Sequence, residues 1–152
     1  MSDNSIAYWN DPALAARLQA ETPGESEMAV ETAALIPPKS RIVELGCGAG
    51  DDAAYFARHG HYVVGTDVSQ PLLNLAAQRF ADVPNLTFRY LDIAKPFNLG
   101  GQSCDVAYAR LSLHYFDHKT TMSIFGEIAW VLRPGGQFFF ACKSTRDPLY
   151  GQ

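Results

Sequence analysis

Basic residues are scarce in this chain. Lysine and arginine number 12 against 16 aspartates and glutamates, for a formal net charge of -4. Phosphate backbones reward clustered Lys and Arg, and no such cluster is seen, so no nucleic-acid partner is expected. Long apolar runs are missing as well. Gln137–Ala141 is typical, against the roughly 20 residues that span a bilayer, so no membrane partner is expected either. Met1-Ser2-Asp3-Asn4 carries neither a basic start nor an apolar signal core. Cysteine is limited to Cys47, Cys104 and Cys142, scattered and without metal-ligand spacing. Such a set reads as reduced thiols, and a cytoplasmic location is expected. Repeats and low-complexity linkers are absent too. The 152 residues are therefore read as one domain: N-terminal helices and a lid over 1–38, a core over 39–143, and a tail over 144–152.

What is present is a core-forming alternation. Hydrophobic residues make up 47% of the chain, enough for a buried interior. Strands are expected at Arg41–Leu45, His61–Asp67, Leu86–Tyr90, Asp105–Arg110 and Gln137–Cys142, all rich in Val, Ile, Phe or Tyr. Helices are expected at Asp51–Arg58, Gln70–Phe80 and Lys119–Leu132, the last with Met122, Phe125, Ile128, Ala129 and Leu132 at helical spacing. Two more, around Pro12–Ala20 and Glu25–Ile36, precede the first strand, and Pro37-Pro38 stops the second of them. Helices between apolar strands imply an α/β fold, a Rossmann-like doubly wound parallel sheet in three α/β/α layers. Ligands of such sheets bind beyond the carboxyl ends of the strands.

The first strand runs into Glu44-Leu45-Gly46-Cys47-Gly48-Ala49-Gly50-Asp51-Asp52. Alternating glycines permit a tight turn and close approach of a ligand to the backbone. A dinucleotide loop would need a small residue at position 51, and a P-loop would carry Lys-Ser/Thr. Glu44, Asp51 and Asp52 add carboxylates that are expected to repel a pyrophosphate but to tolerate a ligand bearing a sulfonium and an ammonium. About 20 residues on, Asp67 ends the second strand, where a carboxylate can accept hydrogen bonds from both ribose hydroxyls. The plainer alternative, a helix cap, falls better to Ser69.

Val43-Glu44-Leu45-Gly46-Cys47-Gly48-Ala49-Gly50 resembles the first motif of class I S-adenosylmethionine-dependent methyltransferases, and later motifs agree over about residues 25 to 145. The resemblance implies that the donor, S-adenosyl-L-methionine, and its product S-adenosyl-L-homocysteine contact Glu44, Gly46, Cys47, Gly48 and Gly50 of the loop. Asp67 and Val68 would follow, with Asp92 toward the adenine amino group, Ile93 beside it, and backbone near Arg110 toward the ammonium. Asp92 as a solvated loop acid is the competing reading. His114 and Tyr115 are the side chains expected to face an acceptor, His114 as a proton acceptor near neutral pH; simple packing of the loop is the alternative. His114 and His118 lack further ligands, so no metal is expected. Tyr8-Trp9-Asn10, ahead of the first helix, is a candidate lid.

The family sheet has seven strands, and no sixth or seventh can be fitted after Cys142. The chain is therefore expected to be C-terminally truncated, with its fifth strand an open apolar edge that favours a homodimer. The expected activity is methyl transfer to a small-molecule acceptor. The alternatives are a non-catalytic donor-binding domain or truncated subunit and, more remotely, a nicotinamide-dependent oxidoreductase.

Overall fold

Capping chemistry sets the starts of most helices. The structure, a computed structural model, describes residues 3–21 and 24–148. Helix α1 covers Asp3–Trp9. Asp11 caps α2 (Pro12–Ala20), whose leading proline suits the first helical position. Ser26 caps α3 (Glu27–Leu35), Ser69 caps α5 (Gln70–Arg79), and Asp117 caps α6 (His118–Val131). Each accepts a hydrogen bond from a first-turn amide. Helix α4 (Asp51–Arg58) starts differently: its cap is Gly50, left-handed and without a side chain. The strands are β1 (Arg41–Leu45), β2 (Tyr62–Asp67), β3 (Leu86–Tyr90), β4 (Cys104–Arg110) and β5 (Leu132–Ala141). They form one sheet in the order β3-β2-β1-β4-β5, with every pairing parallel.

Three expectations need correction. A third helix precedes β1, so Tyr8 and Trp9 belong to α1 instead of leading into the first helix. Strand β5 begins at Leu132, not Gln137, because Cys104 pairs with Leu132 before the register jumps to Val106 with Gln137. The Arg133–Gly136 stretch is thus an irregularity inside a strand, not a free turn. The His61–Asp67 strand starts at Tyr62, since the His61 amide still donates to Phe56 O at the end of α4. The expected 144–152 tail extends past the described residues at 149–152.

Side chains alternate across the sheet into two cores. Ile42, Val63, Val106 and Tyr108 meet Ala29 of α3 and Ala53, Phe56 and Ala57 of α4. Val43, Leu45, Ala107 and Ala109 meet Ile124, Ile128 and Val131 of α6 on the opposite face. Burying a side chain such as Phe56 contributes roughly 1.5–3 kcal/mol. Residues 91–103, between β3 and β4, contain no helix; Phe97 anchors them, fully buried beside α6, and its amide donates to Glu127 Oε2 at 2.9 Å. At the β5 edge, Phe138 and Phe140 stack with centroids 4.9 Å apart, and Phe140 is 51% exposed. Among the described residues no helix is long and apolar enough to cross a membrane.

Candidate functional site

The loop after β1 is tied down by the end of β2. Gly46 and Cys47 both donate their amides to Thr66 O at 2.8 Å. The Thr66 hydroxyl donates back to Glu44 O at 2.7 Å. Gly48 donates its amide to Asp67 Oδ2 at 2.8 Å, and the Ser69 amide donates to Oδ1 at 2.9 Å. Gly48 has φ +55, and a Cβ there would meet nothing within 4 Å. That space opens on the crevice beyond the strand ends. Gly50 is a glycine for another reason: at φ +86 a Cβ would lie 2.7 Å from the Phe88 ring and 2.9 Å from Ala76 Cβ. It serves helix packing.

The carboxylates around the loop do not converge as the sequence suggests. Asp51 forms a two-pronged pair with Arg79, at 3.0 and 2.8 Å, and Arg79 also donates to Ala49 O at 3.2 Å. Asp52 turns to Ser26 and Tyr108. The Asp51 charge is paired with Arg79 and so loses its part in the argument against a pyrophosphate, whereas Asp52 is held by neutral donors alone and its charge still reaches Glu44. Glu44 is different. It is only 3% exposed, and its Oε2 has no hydrogen-bond partner. Burial, reinforced by Asp52 and Asp67, raises its carboxyl well above the ordinary range, with Arg110 opposing. Burial also pushes the Asp67 carboxyl up, while the amides of Gly48, Ser69 and Val68 hold it back.

A cavity of about 290 Å³ lies at these strand ends. Gly46, Gly48, Asp67, Val68, Asp92, Ile93, Arg110, His114 and Tyr115 all line it. Glu44, Cys47 and Gly50 do not. Cys47 is buried, with its sulfur near the position a Gly65 Cβ would take. Asp92 accepts from the Ala94 amide at 3.0 Å and pairs with Lys95 at 3.5 Å, yet keeps a face on the cavity. His118 opens α6 and lies off the lining.

Several lining residues escaped sequence reasoning: Leu91, Leu111, Ser112, Phe116 and Lys143. Leu111 stands at φ +56, where its amide donates to Ala141 O at 2.8 Å. Ser112 donates its hydroxyl to Leu45 O at 2.7 Å, fixing the start of the 111–116 loop against β1. Trp9 also lines the cavity. Its carbonyl accepts from the Ser69 hydroxyl, and its ring meets Tyr115 edge-on at 6.2 Å. The His114 ring lies against that of Tyr115, tilted by 35°, with centroids 4.3 Å apart. Its Nδ1 is buried without a partner, and burial, then the Lys143 charge, lowers its pKa.

This crevice belongs to a known architecture. Residues 42–136 match a family described as a methyltransferase domain. An O-methyltransferase of Pyrenophora dematioidea is 32% identical over 90% of this chain and 51% of its own length. An uncharacterized methyltransferase of Synechocystis is 31% identical over 68% of this chain and 47% of its own. Among solved structures, an S-adenosylmethionine dependent methyltransferase from Mesorhizobium loti superposes with a TM-score of 0.67 at 32% identity, over 78% of this chain and 55% of that one. The chain thus spans about half the length of the curated relatives it matches. Sheet order, glycine loop and the match across the core converge, and the chain belongs to the class I, Rossmann-like S-adenosylmethionine-dependent methyltransferases.

Proposed function

We propose that this chain binds S-adenosylmethionine in the cavity at the strand ends and transfers its methyl group to a small molecule. The observation that carries the reading is the Gly48 position, a left-handed glycine whose missing side chain leaves space on the cavity while its amide is held by Asp67. The fit to the donor rests on three features of the chain. Gly46 and Gly48 present bare backbone to the cavity. Asp67 offers acceptor lone pairs beyond the two amides it already holds, suited to ribose hydroxyls. Glu44, behind the cavity lining, is a buried carboxyl with one oxygen unpartnered, which a cation bound in the cavity would draw toward its charged form without touching it.

When bound, S-adenosylmethionine supplies an electrophilic methyl group on a positively charged sulfur. The residues of the chain position, shield and accept. Val68, Leu91, Ile93 and Phe116 give the cavity apolar walls, which exclude water from a displacement that depends on alignment. Asp92 and Ile93 are proposed at the adenine, with Cys47 and Gly50 supporting the loop from behind. His114, neutral near pH 7 through its lowered pKa, is proposed to take the proton of the acceptor on Nδ1, with Tyr115 beside it. The O-methyltransferase name of one relative is compatible with an oxygen as the attacking atom. The exposed β5 edge is proposed to pair with a second copy of the chain.

Calorimetry with S-adenosylhomocysteine and with NAD tests the donor assignment directly. Binding of the former and none of the latter is expected. Tighter binding of NAD would overturn the reading and revive the nicotinamide alternative.

A further inference from the structure

Strand order separates the two ends of the crevice. In the order β3-β2-β1-β4-β5, three strand spacings, about 14 Å, part the carboxyl ends of β3 and β4. Asp92 and Ile93 follow β3, and the 111–116 loop follows β4. With the adenine at Asp92 and Ile93, and the glycine loop of β1 between, the β4 end of the cavity is left for the second molecule. That end is built of rings. The His114 and Tyr115 centroids are 4.3 Å apart, Tyr115 meets Trp9 edge-on at 6.2 Å, and Trp9 meets Tyr8 at 5.1 Å. His114, Tyr115 and Trp9 line the cavity together.

Bonds within the chain hold these rings in place. The Leu111 amide donates to Ala141 O at 2.8 Å, the Ser112 hydroxyl donates to Leu45 O at 2.7 Å, and Leu113 is buried in the α6 core. The Ser69 hydroxyl donates to the Trp9 carbonyl. On the His114 ring, Nδ1 is buried and has no hydrogen-bond partner among the described residues. Such an atom costs free energy that a bound donor recovers. Burial, then the Lys143 charge, lowers the His114 pKa against the Asp147 charge, so the ring is neutral near pH 7 and can accept a hydrogen bond. Its complement is a flat ring whose hydroxyl donates to Nδ1. A carboxylate has no proton to give, and a thiol is a weak donor. A saturated alcohol lacks the flat face. An aryl hydroxyl also matches an imidazole base in acidity. It resembles tyrosine, with a pKa of about 10, whereas an aliphatic alcohol lies nearer the value for water, about 15.7.

We propose that the methyl acceptor is an aryl hydroxyl compound, seated against the Trp9 and Tyr115 rings with its hydroxyl donating to His114 Nδ1. This rests on the reading of the cavity as the methyl-donor site. The aryl oxygen bonds to the methyl carbon as the sulfur–methyl bond breaks, and the electron pair of that bond stays on sulfur. The hydroxyl proton passes to Nδ1. The products are an aryl methyl ether, S-adenosylhomocysteine and an imidazolium that releases its proton to solvent.

The test uses the full chain saturated with S-adenosylhomocysteine, with 2-naphthol, naphthalene-2-carboxylate and the saturated decahydro-2-naphthol as probes. In calorimetry 2-naphthol is expected to bind at least about tenfold more tightly than either of the others, the scale of one hydrogen bond, and to move the NMR signals of the His114 ring. His114→Phe keeps a ring but removes the acceptor atom. It should weaken 2-naphthol at least about fivefold while S-adenosylhomocysteine affinity changes by less than about threefold, as expected of separate sites. With S-adenosylmethionine in place of the product, the unmodified chain should convert 2-naphthol to its methyl ether, read by mass spectrometry. No binding of 2-naphthol, equal or tighter binding of the carboxylate or the saturated alcohol, or binding without transfer overturns the proposal. So does an unchanged 2-naphthol affinity in His114→Phe, or a loss of S-adenosylhomocysteine affinity there, which would give His114 to the donor. Failure of the unmodified chain to bind S-adenosylhomocysteine would instead overturn the donor-site reading beneath it.

Discussion

Tyr108 donates its hydroxyl to Asp52 Oδ2 at 2.8 Å, inside the molecule where β4 passes the first turn of α4. Ser26 completes the arrangement, donating its hydroxyl to the same oxygen and its amide to Oδ1, both at 2.7 Å. Burial pushes the Tyr108 phenol well up, so it stays a donor. Three segments far apart in sequence are joined through one carboxylate. Tyr108→Phe is expected to lower stability by about 1.5–3 kcal/mol, the scale for a hydrogen bond to a charged group, read as a lower urea midpoint. An unchanged midpoint would show that Ser26 alone satisfies Asp52.

Gly48→Val is expected to abolish S-adenosylhomocysteine binding while the chain stays folded by circular dichroism. The side chain would fill space on the cavity that is empty of protein atoms, and the left-handed backbone adds a strain of about 1–2 kcal/mol. Normal binding by the variant would mean that the loop does not approach the donor there.

Asp67→Asn keeps one acceptor oxygen for the loop but removes the charge. It is expected to weaken S-adenosylhomocysteine by about 1.5–3 kcal/mol in calorimetry. Unchanged affinity would confine Asp67 to its structural bonds with Gly48 and Ser69.

Glu44 gives a pH signature. Its folded pKa is raised, so the folded state holds the proton more tightly than the unfolded chain. The stability that this group contributes is complete below the unfolded value of about 4.3 and is lost as pH rises through the folded value. Glu44→Gln should therefore match the parent chain in acid and exceed it, by about 1–3 kcal/mol, once the pH has risen through the folded value, the scale of one unsatisfied buried polar group. Parallel pH–stability curves for the two proteins would disprove this.

At the sheet edge, Phe140→Lys is expected to reduce self-association of the chain in sedimentation at tens of micromolar, on the order of concentrations where exposed edges pair. Phe140 is the informative position because Phe139 faces the α3–α4 core, whereas Phe140 is exposed. A monomer before and after the change would show that the edge does not pair.

Legibility in the sequence followed the range of the interactions involved. Local chemistry gave Ser69 as the cap of α5 and the bounds of β1, β3 and α4, because caps and apolar runs act over a few residues. The crevice residues from Gly46 to Tyr115 were legible as motifs at the ends of successive strands, where the topology of a parallel sheet gathers them. Lys143 and Ser112 were not, since a lone Lys after a strand and a lone Ser in a loop carry no periodic signal. The partners of Asp51 and Asp52 were hidden for a related reason: Arg79 and Tyr108 lie 28 and 56 residues away, and only the fold brings them together. Helix α1 was missed because a short helix has little room for periodicity.

The bonds from Gly46, Cys47, Gly48 and Gly50 to Thr66, Asp67 and Cys47 bear on the thermodynamics of ligand capture. A loop that is ordered only on contact must surrender about 1–2 kcal/mol of backbone freedom per residue at that moment. Here the surrender occurs during folding, since every one of those bonds is made within the chain itself. The ligand therefore meets a rigid receptor on this side, and the entropic cost of capture falls on its own torsions and on the N-terminal helix that carries Trp9.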